Sequence, residues 1–180
     1  GDGLALGFGP QGQVAELAAD GRSILGTAPG GFWLRDAAAA GPWRRALGQI
    51  RQDGRCVVFE SNEAECGLRL DARIEPRADR IDVTATLGDT TSTDRAVSLC
   101  FVLPLAAGER TWHDDIVRST PAAPHSEYRN AQSWPAGGLL SAYPFSSLTS
   151  KDVGLSLAAP MDCPRVCRFV YNTWLDVFFI

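Results

Sequence analysis

Between Leu68 and Leu87 the chain alternates apolar and polar residues with a period of two, which only a strand accommodates. Successive strand side chains leave opposite faces, so Leu68, Leu70, Ala72 and Ile74 share one face while Arg69, Asp71, Arg73 and Glu75 share the other. The turn formers Pro76-Arg77-Ala78-Asp79 follow. Ile81, Val83, Ala85 and Leu87 then alternate with Asp82, Thr84 and Thr86. The two runs predict a hairpin.

Ala96 to Leu103 is apolar on nearly both faces and stops at Pro104, the pattern of a central strand. Arg55 to Glu60 is β-branched and aromatic and is followed by the polar stretch Ser61-Asn62-Glu63-Ala64, so four strands are expected to run as a meander. Further strands are predicted at Leu4 to Phe8, Val14 to Leu17, Ile116 to Ser119, Leu139 to Ala142, Val153 to Ala159, Val166 to Tyr171 and Leu175 to Ile180. The best helical stretch, Asp36 to Ala40, is cut off by Gly41-Pro42, and 18 glycines and 11 prolines punctuate the chain. Short strands with one-sided and two-sided patterns predict an all-β fold, a large two-sheet antiparallel β-sandwich spanning 1–180 as a single domain. The segment from Ala106 to Pro144 is less regular and is expected to form long loops, where sandwiches usually place binding.

With 180 residues, 45% of them hydrophobic, the chain can bury a core without disulfides or metals. Its net charge of −4 and its scattered arginines, with Lys151 the one lysine among 17 basic residues, argue against a nucleic-acid partner. No stretch approaches the roughly 18 continuous apolar residues of a membrane-spanning helix, so no membrane partner is expected. Cys56, Cys66, Cys100, Cys163 and Cys167 lack metal-type spacing, and neither a metal nor a cofactor is expected. A hairpin centred near Ser61 would set Cys56 opposite Cys66, on the face shared with Val58, Leu68 and Leu70, as thiols rather than a disulfide. The chain opens at Gly1 without methionine and closes on the apolar Val177 to Ile180, as expected of a domain excised from a longer polypeptide. A secreted or periplasmic location is compatible with this reading.

Three stretches carry a family resemblance: Asp94-Arg95-Ala96 through Leu103-Pro104; Trp112-His113-Asp114-Asp115; and Tyr143-Pro144-Phe145 through Gly154-Leu155-Ser156-Leu157-Ala158 to Pro160-Met161-Asp162-Cys163-Pro164-Arg165. Together they resemble the N-terminal galactose-mutarotase-like supersandwich of large bacterial glycoside hydrolases. The resemblance implies a non-catalytic accessory sandwich that packs against a following catalytic barrel, and it carries no catalytic residue onto this chain. The alternative it leaves open is an independent carbohydrate-binding or mutarotase-like module that uses the loop region 106–144.

Glycoside hydrolysis usually needs two carboxyl groups at a fixed separation. Asp114-Asp115 is the most suggestive pair, although neighbours on a strand face opposite ways and loop aspartates often cap backbone amides. Mutarotase chemistry needs an acid and a base, and the two histidines, His113 and His125, with Glu127 close to the second, permit such a pair. Aromatic rings offer an apolar face to the C–H side of a pyranose. The candidate carbohydrate-contacting residues are therefore Trp112, His113, Asp114, Asp115, Trp134 and Tyr143, while Trp33, Trp43 and Trp174 read as packing residues. The Gly30-Gly31 and Gly137-Gly138 pairs read as turns rather than phosphate-cradling loops.

Overall fold

The computed structural model describes residues 3–130, 144–162 and 167–180. The protein is all-β and antiparallel, a β-sandwich built of short strands, with one three-residue 3₁₀ turn at Ala64–Cys66 as its only helical element among the described residues. None of its helices is long and apolar enough to cross a membrane, among the described residues. The chain divides into two compact units, 1–25 with 29–102, and 26–28 with 103–180.

The first unit contains β1 (Leu4–Phe8), β2 (Val14–Ala19), β3 (Arg22–Ser23), β4 (Gly31–Asp36), β5 (Arg44–Arg45), β6 (Gly48–Asp53), β7 (Cys56–Glu63), β8 (Leu68–Pro76), β9 (Ile81–Asp89) and residues 97–102 of β10 (Val97–Pro104). Here the period-two pattern does what it predicts. Leu68, Leu70, Ala72 and Ile74 are all buried, and β8 pairs with β9 in the register Leu70↔Leu87, Ala72↔Ala85, Ile74↔Val83. The turn closes with the Arg77 amide donating to the Arg80 carbonyl at 2.7 Å.

Two expectations for this unit are corrected. The meander is β6-β7-β8-β9, whereas β10 pairs with β4 in a separate ladder from Val97↔Asp36 to Val102↔Gly31. The sequence Ser61-Asn62-Glu63 is not a turn either: it continues β7, and the chain reverses at Ala64–Gly67, where Gly67 takes a left-handed φ of 60°. The register is therefore Glu63↔Leu68, Ser61↔Leu70, Phe59↔Ala72. Moving the centre of the hairpin by an odd count flips every β7 side chain to the other face. Phe59 and Ser61 join the buried face of β8, while Cys56 lies at the far end of β7 from Cys66, some 20 Å of strand away at about 3.3 Å per residue. Cys56 instead stands across from Asp53 and takes a contact of 3.0 Å from the Arg73 guanidinium. Both cysteines are free thiols.

Sheet packs on sheet through aromatic rings. Phe32 of β4 stacks on Phe59 of β7 with centroids 5.5 Å apart, Phe101 of β10 lies 4.9 Å from Phe32, and Phe8 of β1 reaches Phe101 at 6.4 Å. Phe32 and Phe59 are 2% and 1% exposed, so this aromatic chain is the centre of the unit's core. Gly12 is required beside it: its φ is +84°, and a Cβ there would strike the Phe59 ring.

The second unit contains β11 (Thr111–His113), β12 (Ser119–Pro121), β13 (Glu127–Arg129), β14 (Phe145–Thr149), β15 (Gly154–Ala158), β16 (Val170–Asn172) and β17 (Val177–Phe179). Its ladders run β12-β11-β14-β15 and β13-β16-β17. They meet where Trp112 of β11 packs edge-on against Phe178 of β17, 6.0 Å between centroids at 86°. The expected strand at Ile116 to Ser119 is displaced, because 116 and 117 form the bend before β12 and expose their side chains by 66% and 83%. The strand expected from Val166 begins at Val170, and the one expected at Leu139 to Ala142 lies outside the described residues. The stretch Asp36 to Ala40 is the end of β4 and a turn.

Candidate functional site

The candidate residues Trp112, His113, Asp114 and Asp115 lie at the end of β11 and in the bend that leads to β12. The structure brings them together for an architectural purpose. Trp112 is 3% exposed, with Phe178 against it and Tyr128 at 6.3 Å. Its ring is a core element and offers no open face to a ligand. His113 is tied through Nε2 to the Thr149 hydroxyl of β14 at 2.8 Å. Trp134 and Tyr143 lie outside the described residues.

Asp115 is 5% exposed and closes the bend on itself. Its Oδ1 accepts from the backbone amides of Val117 and Arg118, both at 2.8 Å. Its Oδ2 accepts from both Nε and Nη2 of the Arg118 guanidinium, at 2.8 and 2.6 Å. The Arg118 and Val117 amides, followed by the Arg118 guanidinium, hold the carboxyl below the usual carboxylate range, so it is an anion and a poor proton donor. Asp114 shares the same guanidinium at 3.0 Å, and its amide donates to the Arg118 carbonyl at 3.0 Å. A glycosidic acid needs a raised pKa and a free approach to the leaving-group oxygen. Asp115 has neither, because its carboxylate caps backbone amides, and Asp114 flanks the same arginine.

The second pairing from the sequence, His125 with Glu127, is also divided. Glu127 is engaged with Arg129 at 3.1 Å and with the Asn172 amide at 3.3 Å. His125 turns instead toward Trp174, centroids 6.3 Å apart. Trp174 corrects its assignment as a packing residue, being 60% exposed, and Trp43 at 42% does likewise.

The sequence pattern missed two half-buried polar networks. In the first unit Arg95, from the Asp94-Arg95-Ala96 motif, donates to Asp36 at 2.6 Å and to Asp89 at 3.2 Å. Thr91, with Arg95 and Thr93 adding to it, depresses Asp89 to about 2. In the second unit Arg110 lies over the Tyr171 ring at 5.9 Å and donates to its hydroxyl at 3.2 Å, and that hydroxyl donates to Asp176 at 3.1 Å. Each network rests on one long-range link, Arg95 to Asp36 and Arg110 to Tyr171, so no local pattern signals it. Among the described residues no group of three or more His, Cys, Asp or Glu side chains could hold a metal ion. Burial pushes the Cys100 thiol up to about 11, far from thiolate chemistry.

Comparison with protein-family models, with curated proteins and with solved structures finds no match to this chain.

Proposed function

We propose that this chain is a non-catalytic β-sandwich accessory domain of a carbohydrate-active protein, and that it packs against a catalytic domain. One observation carries the reading: its best carboxylate pair is spent on holding a loop whose tip displays apolar residues. Asp114 and Asp115 gather Arg118 and the backbone amides of 117 and 118, and between these anchors Ile116 and Val117 stand out at 66% and 83% exposure. Rigid display of adjacent aliphatic side chains suits a protein contact, where pre-ordering lowers the cost of association. The family resemblance of the sequence supplies the carbohydrate-active context.

Activity and docking are tested separately. The purified chain should turn over no aryl glycoside. Turnover that disappears in Asp114→Ala or Asp115→Ala would overturn the non-catalytic reading. Mixed with the catalytic domain of its own polypeptide, the chain should co-elute in size-exclusion chromatography, and Val117→Asp should abolish co-elution; co-elution unchanged by Val117→Asp would overturn the proposed contact.

A further inference from the structure

At the opposite kind of surface, an aromatic residue is held in water by a deliberately rigid support. Trp174 sits in the turn between β16 and β17, and Asn172 fixes that turn by accepting from the amides of Trp174 and Leu175 at 3.0 and 3.1 Å. The segment before β13 is stapled to it through Thr173. The Thr173 hydroxyl accepts from the Ser126 amide at 2.7 Å and lies within 3.1 Å of the Ala123 carbonyl and 3.0 Å of the Ser126 carbonyl. The Thr173 amide donates to Ser126 at 2.9 Å. His125 rides on this staple with a φ of +53°, a left-handed conformation that a non-glycine residue holds only when its surroundings enforce it.

The result is a shallow wedge, with the imidazole and the indole 6.3 Å apart and inclined at 43°. The rings do not stack, so neither hides the other's face. Among the described residues the His125 ring nitrogens have no hydrogen-bond partner, while the Asn172 side chain donates to Glu127. Two unstacked rings, one with free ring nitrogens, on a strained and stapled support are more than a stray exposed aromatic.

We infer that the Trp174–His125 wedge binds a neutral hexopyranose unit of a polysaccharide. The indole offers its apolar face to the axial C–H groups of the sugar, and the imidazole offers a donor and an acceptor to hydroxyls at the ring edge. The surroundings disfavour other ligands. Glu127 is paired with Arg129, so neither side chain offers an unpaired charge to an ionic ligand. A stable protein contact buries about 800 Å² on each partner, and here the exposed apolar side chains of the turn are one indole and Leu175. The inference rests on the carbohydrate-active reading proposed above but not on the docking loop at 116–117, so gel retardation and co-elution can fail independently.

The test is native affinity electrophoresis of the whole chain in gels cast with galactomannan, xyloglucan, mixed-linkage β-glucan or arabinoxylan. Retardation is expected in at least one gel. Trp174→Ala should abolish it, His125→Ala should weaken it by roughly tenfold, a difference of about 1.4 kcal/mol, and Trp174→Phe, which keeps an aromatic face, should retain part of it. Circular dichroism of each variant establishes that the fold persists, and Trp174→Phe serves in place of Trp174→Ala should the latter not fold. Migration unaffected by all four polysaccharides, or retardation that survives Trp174→Ala, overturns the inference.

Discussion

The two units are built from the same antiparallel ladders but held by different forces. In the first, strands of up to nine residues alternate strictly, and a run of phenylalanines from Phe8 to Phe59 fills the space between sheets. In the second, five of the seven strands have three residues, too few to fix a register by patterning. Side chains reaching for backbone take over: Asp115 closes one bend, Asn172 another, and Asn130 accepts from the Phe169 amide at 3.0 Å. A long strand is specified by its own sequence, whereas a short one is specified by whichever distant residue satisfies its ends.

The largest expected effect tests the apolar half of that contrast. Phe59→Ala removes a ring 1% exposed and stacked on Phe32, leaving a void at the centre of the first unit. Urea denaturation should show a loss of about 3–5 kcal/mol. A loss below about 1 kcal/mol would mean that the stacked pair is not the core and that the sheets are held by something else.

Next in size is the polar half. Asp115→Ala strips two amides and a guanidinium of their acceptor in a nearly buried site, so it should lower the melting temperature more than Asp71→Ala, which breaks an ion pair with Arg69 whose partners are 59% and 41% exposed. Asp115→Asn keeps an oxygen for the amides and should fall between the two. Equal shifts for Asp115→Ala and Asp71→Ala would remove the distinction between the units.

Acid should probe the first unit's exception to its apolar rule, the Asp36–Arg95–Asp89 cluster. The folded Asp89 carboxyl has a value of about 2 against an ordinary 3.8. Because the folded value is the lower one, its contribution is whole above about pH 4 and fades as pH falls through about 2. Asp89→Asn should be less stable than the parent near neutrality and should lose less of its stability between pH 4 and 2. Parallel melting curves for the two proteins across that window would show that the carboxylate contributes nothing.

What the sequence made legible follows the same division. The β8–β9 hairpin was legible, since Leu68 to Ile74 and Ile81 to Leu87 both alternate, although the turn falls at 77–80, one residue later than Pro76–Asp79, with Pro76 paired to Ile81. The β7–β8 turn was misread because Ser61-Asn62-Glu63 has turn composition but strand geometry. Ser61 is buried with its hydroxyl on the Leu47 carbonyl at 2.8 Å, a partner invisible without β6. The order of β10 and β4 was equally hidden, because pairing over some sixty residues leaves no local trace. At the candidate site the segment 112–115 was noticed for its chemistry, but its meaning rests on Arg118 and Phe178, and Trp174 stands out only once the Asn172 turn and the Thr173 staple are seen.

The smallest expected effect sharpens the comparison most directly, because the same substitution can be made in both units. Val83 of β9 is 37% exposed and faces Ile74 across the ladder, whereas Val117 at the tip of its bend is 83% exposed. Serine at position 83 loses part of a packed, β-branched cross-strand contact and should cost about 1 kcal/mol. Serine at 117 loses almost nothing, since the bend is fixed by the backbone amides of 117 and 118 and not by the side chain, so stability should stay within about ±0.5 kcal/mol. A fold that tolerates Val117→Ser while losing its partner in co-elution would show that this valine is maintained for contact and not for stability. A destabilisation equal to that of Val83→Ser would show the reverse: the valine would then be packing in solution, and the apolar tip would be part of the second unit's own structure.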